Sequence, residues 1–369
     1  MVSTSLKNTL LNLSVSIGAI ILFGMGGEIL LRLNPKLFCE GYRASPDDRI
    51  VYELYPGYEI KSLKAKISSQ GLNDRYFSVQ KNPAIFRMAI VGDSTSFGWK
   101  VGAENSFPKV LERLLNSNDE GQKFEVINFS VPGYNTSQEA EVIRRKVLPF
   151  HPDLVVLIFC GNDVHLCNFI KPNQTRMNFF YNQSYLIHGI LRFLDGIFMQ
   201  MKTSFFVSKG ILQAWLWFKN HVLGMFYYNQ PIYPYPGLER SEMLKGFNPS
   251  RDPMQVPSRY WYMLGYDSYK VHLGNIKDLL KQYGIPWVSS GEFTKKALQI
   301  QNELGIENKC DFYEARKGIS KKEIVLGEYD KHYNKKGHEL MAGYLYDFLI
   351  KHNLLDSQKK ALIPNGFKQ

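Results

Sequence analysis

Short apolar runs alternate with segments of helical spacing along much of the chain. Residues 86–94 (FRMAIVGDS) form an apolar, β-rich run that ends in a Gly-containing turn. Over residues 104–116, Phe107, Val110, Leu111, Leu114 and Leu115 recur at the three- and four-residue spacing of one helix face. The alternation then repeats. Residues 125–131 (EVINFSV) predict a strand stopped by Pro132-Gly133, residues 137–148 a helix, and residues 153–163 (DLVVLIFCGND) a continuous apolar strand running into Gly161-Asn162. Near the C-terminus, residues 261–283 predict a helix with Leu264, Val271, Ile276, Leu279 and Leu280 on its apolar side, stopped by Gly284. Residues 285–290 follow as a short strand, and residues 335–352 as a last amphipathic helix. Apolar strands separated by amphipathic helices predict a central parallel sheet covered on both faces, a three-layer α/β/α fold. Such sheets bind ligands beyond the carboxyl ends of their strands. Gly92-Asp93-Ser94, Gly133 and Gly161-Asn162 all fall at such ends.

Three stretches depart from that rhythm. Residues 9–27 (TLLNLSVSIGAIILFGMGG) carry no charge, follow Lys7 and precede Glu28 and Arg32, and the apolar character resumes at Ile29, Leu30 and Leu31. About twenty apolar residues cross ~30 Å of hydrocarbon, so residues 1–33 are expected to be an uncleaved, single-pass membrane anchor. The competing reading is a cleaved signal peptide. Gly24 and Gly26 make only a poor small-x-small site, and Leu37-Phe38-Cys39 lacks the small residue of a lipoprotein box. The flanking charges, Lys7 against Arg32, Lys36 and Arg43, do not choose a topology. Residues 34–82 are polar and turn-rich, with Pro35, Pro46 and Pro56 as punctuation, and read as a connecting segment. From 166 to about 255 lies an aromatic-rich insertion. In it YLIHGILRFLDGIFMQMKTSFF and ILQAWLWFKNHVLGMFYY have wide apolar helical faces, ahead of PIYPYPG. Arg192, Asp195 and Lys202 interrupt the first and Lys219 and His221 the second, so neither resembles a clean membrane span. Three readings stay open for these helices: additional core, a lid or membrane-skimming surface, or a second transmembrane hairpin. The α/β domain then covers residues 83–354, and residues 355–369 form a loose tail.

Composition changes this picture little. A hydrophobic content of 44% supports a sizeable core and excludes disorder over most of the chain. The formal net charge of +11 comes from scattered Lys and Arg without a nucleic-acid motif, so proximity to anionic lipid is the simpler reading than a nucleic-acid partner. Cys39, Cys160, Cys167 and Cys310 have neither metal-type spacing nor a disulfide framework, and Cys160, inside an apolar run, reads as a small buried hydrophobe.

Candidate chemistry starts at Ser94. A serine hydroxyl needs a base to take its proton and donors to receive the charge that develops on its target. In GDSTSFG it sits where a strand turns into a helix, with unpaired backbone N–H groups nearby. His332, in YDKHYNKKGH just before the last helix, is the candidate base, and Asp330 could fix its tautomer. Asn334-x-x-Gly337 gives a tight turn into that helix, and His338 reads as structural, contributing to the turn. Gly133 lets a backbone N–H approach a ligand closely. Asn162 offers a side-chain N–H of the kind found in oxyanion holes. Each of these alone is an ordinary turn residue; their order and common location single them out.

These blocks resemble the SGNH/GDSL hydrolase superfamily. GDSTSFG is similar to its first block, Gly133 in VPGYNT to the second, Asn162 in CGND to the third, and Asp330 with His332 to the last. All four appear in the family's order, over residues 84–165 and 260–350. The resemblance implies a flavodoxin-like α/β/α fold and a catalytic set of Ser94, His332 and Asp330. It also implies an oxyanion hole built from Ser94, Gly133 and Asn162, with no metal or organic cofactor. One departure is the spacing Asp330-Lys331-His332, where the superfamily usually has Asp-x-x-His; Glu328 is the alternative carboxylate. This Asp-x-His form resembles a membrane-anchored bacterial subgroup. An α/β-hydrolase is not indicated, because Ser96 stands where the Gly-x-Ser-x-Gly elbow needs Gly. The expected protein is thus a membrane-anchored serine esterase acting on an O-acyl ester of a glycan or lipid, its catalytic domain on the periplasmic or extracytoplasmic side. Its rivals are an O-acyltransferase that acetylates an exported polysaccharide, a lipase-like enzyme working at the bilayer, and a catalytically silent scaffold in envelope polysaccharide assembly. Protein partners are left open.

Overall fold

The structure, a computed structural model, describes residues 4–34, 41–117, 122–173, 183–201, 209–226, 232–241 and 256–356. Cys39, the tail after residue 356 and parts of the insertion (174–182, 202–208, 227–231 and 242–255) lie outside the described residues. The chain forms two compact units, residues 45–169 with 241–369 and residues 1–44 with 170–240.

The larger unit is built on a five-stranded parallel sheet. Its strands are β1 (Ile85–Val91), β2 (Lys123–Asn128), β3 (Leu154–Phe159), β4 (Trp287–Gly291) and β5 (Lys309–Asp311). They lie in the order β5-β4-β3-β1-β2, all neighbours parallel. Read from the other edge this is the 2-1-3-4-5 order of doubly wound, flavodoxin-like sheets. The expected parallel α/β/α architecture is therefore present, and one strand and one helix were not legible from the pattern. β5 is only Lys-Cys-Asp, too short and mixed to show as an apolar run, and the helix Lys295–Glu303 before it exposes mostly Lys, Gln and Glu.

The strands are apolar throughout because both faces are covered. Met88, Ile90, Val126, Leu154, Val156 and Ile158 face one layer, where they pack with Phe107 and Leu111 of α3 (Phe107–Leu115) and Met341, Leu345 and Leu349 of α9 (Lys335–Lys351). The intervening residues Ala89, Val91, Val155 and Leu157 are buried too. At the end of β3, Phe159 meets Tyr269 of α7 (Gly265–Gln282) edge-on, with ring centroids 5.2 Å apart. Two predicted helices are shifted. Residues 261–263 belong to a 3-10 turn, Ser258–Met263, and α7 begins only at Gly265; it buries Tyr269, Leu273, Ile276 and Leu280 and leaves Val271 exposed. The helix over 137–148 is α-helical only as α4 (Thr136–Val142) and continues as a wider π turn, Ile143–Val147.

Residues 45–82, which read as a connecting segment, bury Tyr52, Leu54, Ile60, Leu63, Ile67, Leu72 and Phe77 within the larger unit. Their polar groups are tied in as well. The Lys109 ammonium, buried on α3, meets Asp74 at 2.8 Å and Glu112 at 2.6 Å and donates to the Val126 carbonyl. Such a set is worth little as net stability but costs much when one partner is removed, since a buried charge is left uncompensated.

The smaller unit contains α1 (Thr4–Leu33), α5 (Tyr185–Met201) and α6 (Lys209–His221). Within α1, residues Lys7–Leu33 are long and apolar enough to cross a membrane, with a mean hydropathy of 1.9.

Lys109→Met is expected to cost about 3–5 kcal/mol, read as a lower denaturation midpoint at unchanged slope. Burial already pushes the Asp74 carboxyl above its ordinary value against the pull of Lys109. Without the ammonium the folded state holds that proton still more tightly than the unfolded chain does, so the deficit grows as pH rises from 4 to 8. A loss that is flat across this range would show that Asp74 is not the group left unpaired.

Candidate active site

The order of strands reverses between β1 and β3, since the chain leaves β1 for β2 on one side and reaches β3 on the other. Connections diverge there and open a crevice at the carboxyl ends. Ser94 follows β1 and Asn162 follows β3, so both lie at the crevice.

Ser94 is the first residue of a single helical turn, α2 (Ser94–Phe97). Asp93 caps it, its Oδ1 accepting the Thr95 N–H at 2.8 Å. Gly92 is required because a Cβ there would sit 2.5 Å from Ser96 Oγ and 2.8 Å from Ile158 Cβ. Neighbouring segments then pin the turn. Asn73 Nδ2 donates to the Phe97 carbonyl at 2.9 Å, Asn128 Nδ2 to the Ser96 carbonyl at 2.8 Å, and the Ser96 and Ser130 hydroxyls are 2.6 Å apart.

His332 is delivered by the loop before α9. Asn334 caps that helix through Oδ1, which accepts the Gly337 N–H at 3.0 Å, while its Nδ2 donates to the carbonyls of Glu323 and Val325. A Cβ on Gly337 would come within 2.4 Å of the Ile324 carbonyl, which explains the Asn-x-x-Gly spacing. His338 is structural, but its partner is not the turn itself. Its Nδ1 accepts the Phe107 N–H of α3 at 3.2 Å, and burial pushes the ring down to about 4, keeping it a neutral acceptor.

Ser94, His332 and Asp330 come together as a hydrogen-bonded chain. His332 Nε2 lies 2.8 Å from Ser94 Oγ, and His332 Nδ1 lies 2.6 Å from Asp330 Oδ1. With Nδ1 protonated toward the carboxylate, Nε2 is left to accept the serine proton. Asp330 is the carboxylate in contact; Glu328 is exposed.

Two residues that sequence reasoning missed complete this arrangement. Lys100 Nζ donates to Asp330 Oδ2 at 2.7 Å, Trp99 Nε1 donates to the same oxygen at 3.3 Å, and the Trp99 ring stacks on His332 at 4.8 Å between centroids. Lys100 holds a left-handed backbone, φ 59°, to do so. Partial burial would raise the Asp330 carboxyl, but the bonds from Lys100 and His332 outweigh it and hold it far below the usual carboxylate range. Both residues directly follow GDSTSFG, yet nothing in their spacing relates them to position 330; only the fold does.

Gly133 and Asn162 meet in a neighbouring loop. Gly133 has φ 78°, and a Cβ there would collide with the Asn168 side chain, 2.0 Å away. Asn162 Nδ2 donates to the Tyr134 carbonyl at 3.0 Å, which uses one of its two N–H groups. The Val131 N–H bonds the Gly92 carbonyl at 3.1 Å, linking this loop to the serine turn. Tyr52 Oη donates to the Pro132 carbonyl at 2.8 Å, and Gln138 Nε2 to the Ile50 carbonyl at 2.7 Å. The segment before β1 thus frames the second block as well. Burial and nearby Asp93 push the carboxyls of Glu139 and Asp163 well above their ordinary values, and Asp163 adds to the rise at Glu139. Among the described residues no cluster of His, Cys, Asp and Glu is arranged to hold a metal ion.

A parallel α/β domain with a polar constellation of this kind at its switch point is an enzyme scaffold. Residues 90–214 match the GDSL-like Lipase/Acylhydrolase family. Over that region the chain is similar to GDSL-like lipases and acylhydrolases, which act on ester bonds. No curated protein matches the chain. Among solved structures, a lipase/acylhydrolase from Enterococcus faecalis is 13% identical, with 72% of this chain and 96% of that one covered and a TM-score of 0.40. The psychrotrophic esterase EstA from Pseudoalteromonas sp. is 11% identical, covering 73% and 98%, with a TM-score of 0.39. A mutant of Axe2, an acetyl-xylooligosaccharide esterase from Geobacillus Stearmophilus, is 12% identical, covering 71% and 93%, with a TM-score of 0.37.

Lys100→Met removes the cation that holds Asp330 ionised. The Asp330 carboxyl then rises toward the ordinary carboxylate range, so kcat/KM for ester hydrolysis is expected to lose more on its acid limb, below about pH 4, than at neutral pH. Lys100→Arg should restore the limb. A profile that keeps its shape while its height falls would mean that Lys100 only supports the loop.

Proposed function

We propose that this protein is a membrane-anchored serine esterase whose nucleophile is Ser94. The observation that carries the reading is the unbroken chain from Ser94 Oγ through both nitrogens of His332 to Asp330, at 2.8 and 2.6 Å. Ser94 Oγ attacks the ester carbonyl as His332 Nε2 takes its proton, and Asp330 steadies the imidazolium without becoming protonated. Charge on the carbonyl oxygen is received by the N–H groups of Ser94 and Gly133 and by the second side-chain N–H of Asn162. The departing alcohol takes the proton back from His332. A water activated by the same nitrogen then frees the acyl group from Ser94, returning the site to its starting state.

The Asp-x-His block aligns the protein with the membrane-anchored bacterial subgroup, with residues 83–354 as its hydrolase domain and the aromatic segment as an insertion in it. Helix α1 serves as the anchor, supported by its uncharged stretch and the exposure of Leu22 and Phe23. The catalytic domain stands on the extracytoplasmic side. An enzyme held there meets O-acyl esters of glycans and lipids, and these are its proposed substrate class.

Ser94→Ala is expected to lower hydrolysis of acetyl to long-chain esters by at least ~1000-fold, with little change in the thermal midpoint. A fluorophosphonate should label Ser94 in the wild-type protein. Well-folded protein that takes up no label, or an alanine variant that stays active, would sink the assignment.

A further inference from the structure

Helix α5 is built inside out. Leu186, Ile187, Ile190, Phe193, Leu194 and Ile197 fall at the three- and four-residue spacing of one face. On that face Ile187 is 36%, Ile190 50% and Phe193 70% exposed, while Leu186 lies beside Gly27 of α1. The inward face places polar groups beside Leu191, which packs on Leu223, Met225 and Ile232. His188 is fully buried, with Nε2 2.7 Å from the Tyr233 carbonyl. Asp195, equally buried, accepts from Trp215 Nε1 at 2.7 Å and from the Lys219 ammonium at 2.9 Å through Oδ1, and from the Ile232 N–H at 2.6 Å through Oδ2. Lys219 is itself 0% exposed, on α6, which turns Ile211 and Trp217 outward at 53% and 58%. A helix folded in water does the reverse, because desolvating a charge costs far more than exposing an apolar chain. This unit satisfies its charges internally and presents hydrocarbon.

The start of α5 is fixed to the end of the proposed membrane anchor. Glu28 caps it: Oε2 accepts from Ser184 Oγ at 2.8 Å and the Leu186 N–H at 2.9 Å, and Oε1 from the Tyr185 N–H at 3.2 Å. Arg32 pairs with Glu28 at 2.7 Å and donates to the Gln183 carbonyl. Glu28 and Arg32 are the first charges after the uncharged stretch of α1 and so mark where the span leaves the hydrocarbon. An apolar helix face that begins at that level is continuous with the lipid-facing surface of the span.

We infer that α5 lies in the interfacial layer of the phospholipid bilayer, with Ile187, Ile190 and Phe193 among the acyl chains and Trp217 of α6 at the headgroup level. This rests on the reading of α1 as a membrane anchor. The span then acts as more than a flexible tether, because the unit fastened to its end has a second, lateral hold on the bilayer.

The test places the photocrosslinker benzoylphenylalanine at position 193, 190 or 22 of the full chain, reconstituted in vesicles of phosphatidylethanolamine and phosphatidylglycerol. Wild-type ester hydrolysis identifies the folded variants, and using both 190 and 193 guards against a single failure to fold. Lipid adducts are expected from all three positions. Adducts at 22 without any at 190 or 193 would overturn the inference and leave the anchor standing. No adduct at any position would remove the anchor and the inference together. Chain-to-chain crosslinks at 193 in place of lipid adducts would overturn it in favour of a second copy on this face.

Discussion

The reversal of strand order between β1 and β3 is the constraint from which the larger unit's arrangement follows. A parallel sheet buried on both faces must return each strand through a covering helix, and the return can go to either side. Here it goes first to β2 and then across to β3, so the loops after β1 and β3 part at the carboxyl edge. The candidate catalytic groups are gathered there. Ser94 comes from the loop after β1, Gly133 from the continuation of β2, and Asn162 from the turn after β3. His332 arrives from a loop that is remote in sequence, through a helix packed on α3.

That edge would be loose if the loops were held only by their own strands. It is braced by residues 45–82, which bury Tyr52 against Pro132, pass Asn73 to the Phe97 carbonyl and bring Asp74 to Lys109 and the Asn128 N–H. Preorganisation of this kind matters because donors aimed at a developing charge are effective only when they need not move to meet it. Beside this edge, burial and neighbouring carboxylates push the carboxyls of Glu139 and Asp163 well above their ordinary values.

Much of this was legible in the sequence, for identifiable reasons. β1 and β3 are continuous apolar runs because they are central, and Gly, Ser and Asn stand where the strands end at the crevice. The turn that brings in His332 was visible as Asn334-x-x-Gly337, a cap whose geometry excludes a side chain at 337. Asp330, with its contracted spacing, could be offered only beside Glu328, since two-residue spacing says nothing of which carboxylate turns inward. Trp99 and Lys100 were invisible because their partners are more than 200 residues away and no local pattern encodes a stack or an ion pair over that distance. Residues 45–82 looked like a connector for a related reason. Their apolar positions are spread among short strands and turns, so they show neither the period of a helix nor that of a strand.

The insertion marks the limit of pattern reading in a different way. Apolar periodicity identifies which face of a helix is hydrophobic, but it carries no information about which face is turned inward. For α5 the usual assumption, apolar inward, is contradicted by the burial of His188 and Asp195 and the exposure of Phe193. Two of the charged residues that argued against a second span neutralise each other in the fold: Asp195 pairs with Lys219 from the next helix. A pair of opposite charges, one on each of two consecutive apolar helices, is therefore ambiguous in sequence. It can interrupt a hydrophobic face, or it can be the inward seam that lets two helices turn their apolar sides out. The two cases separate only when the partner of each charge is known, and here each charge has the other.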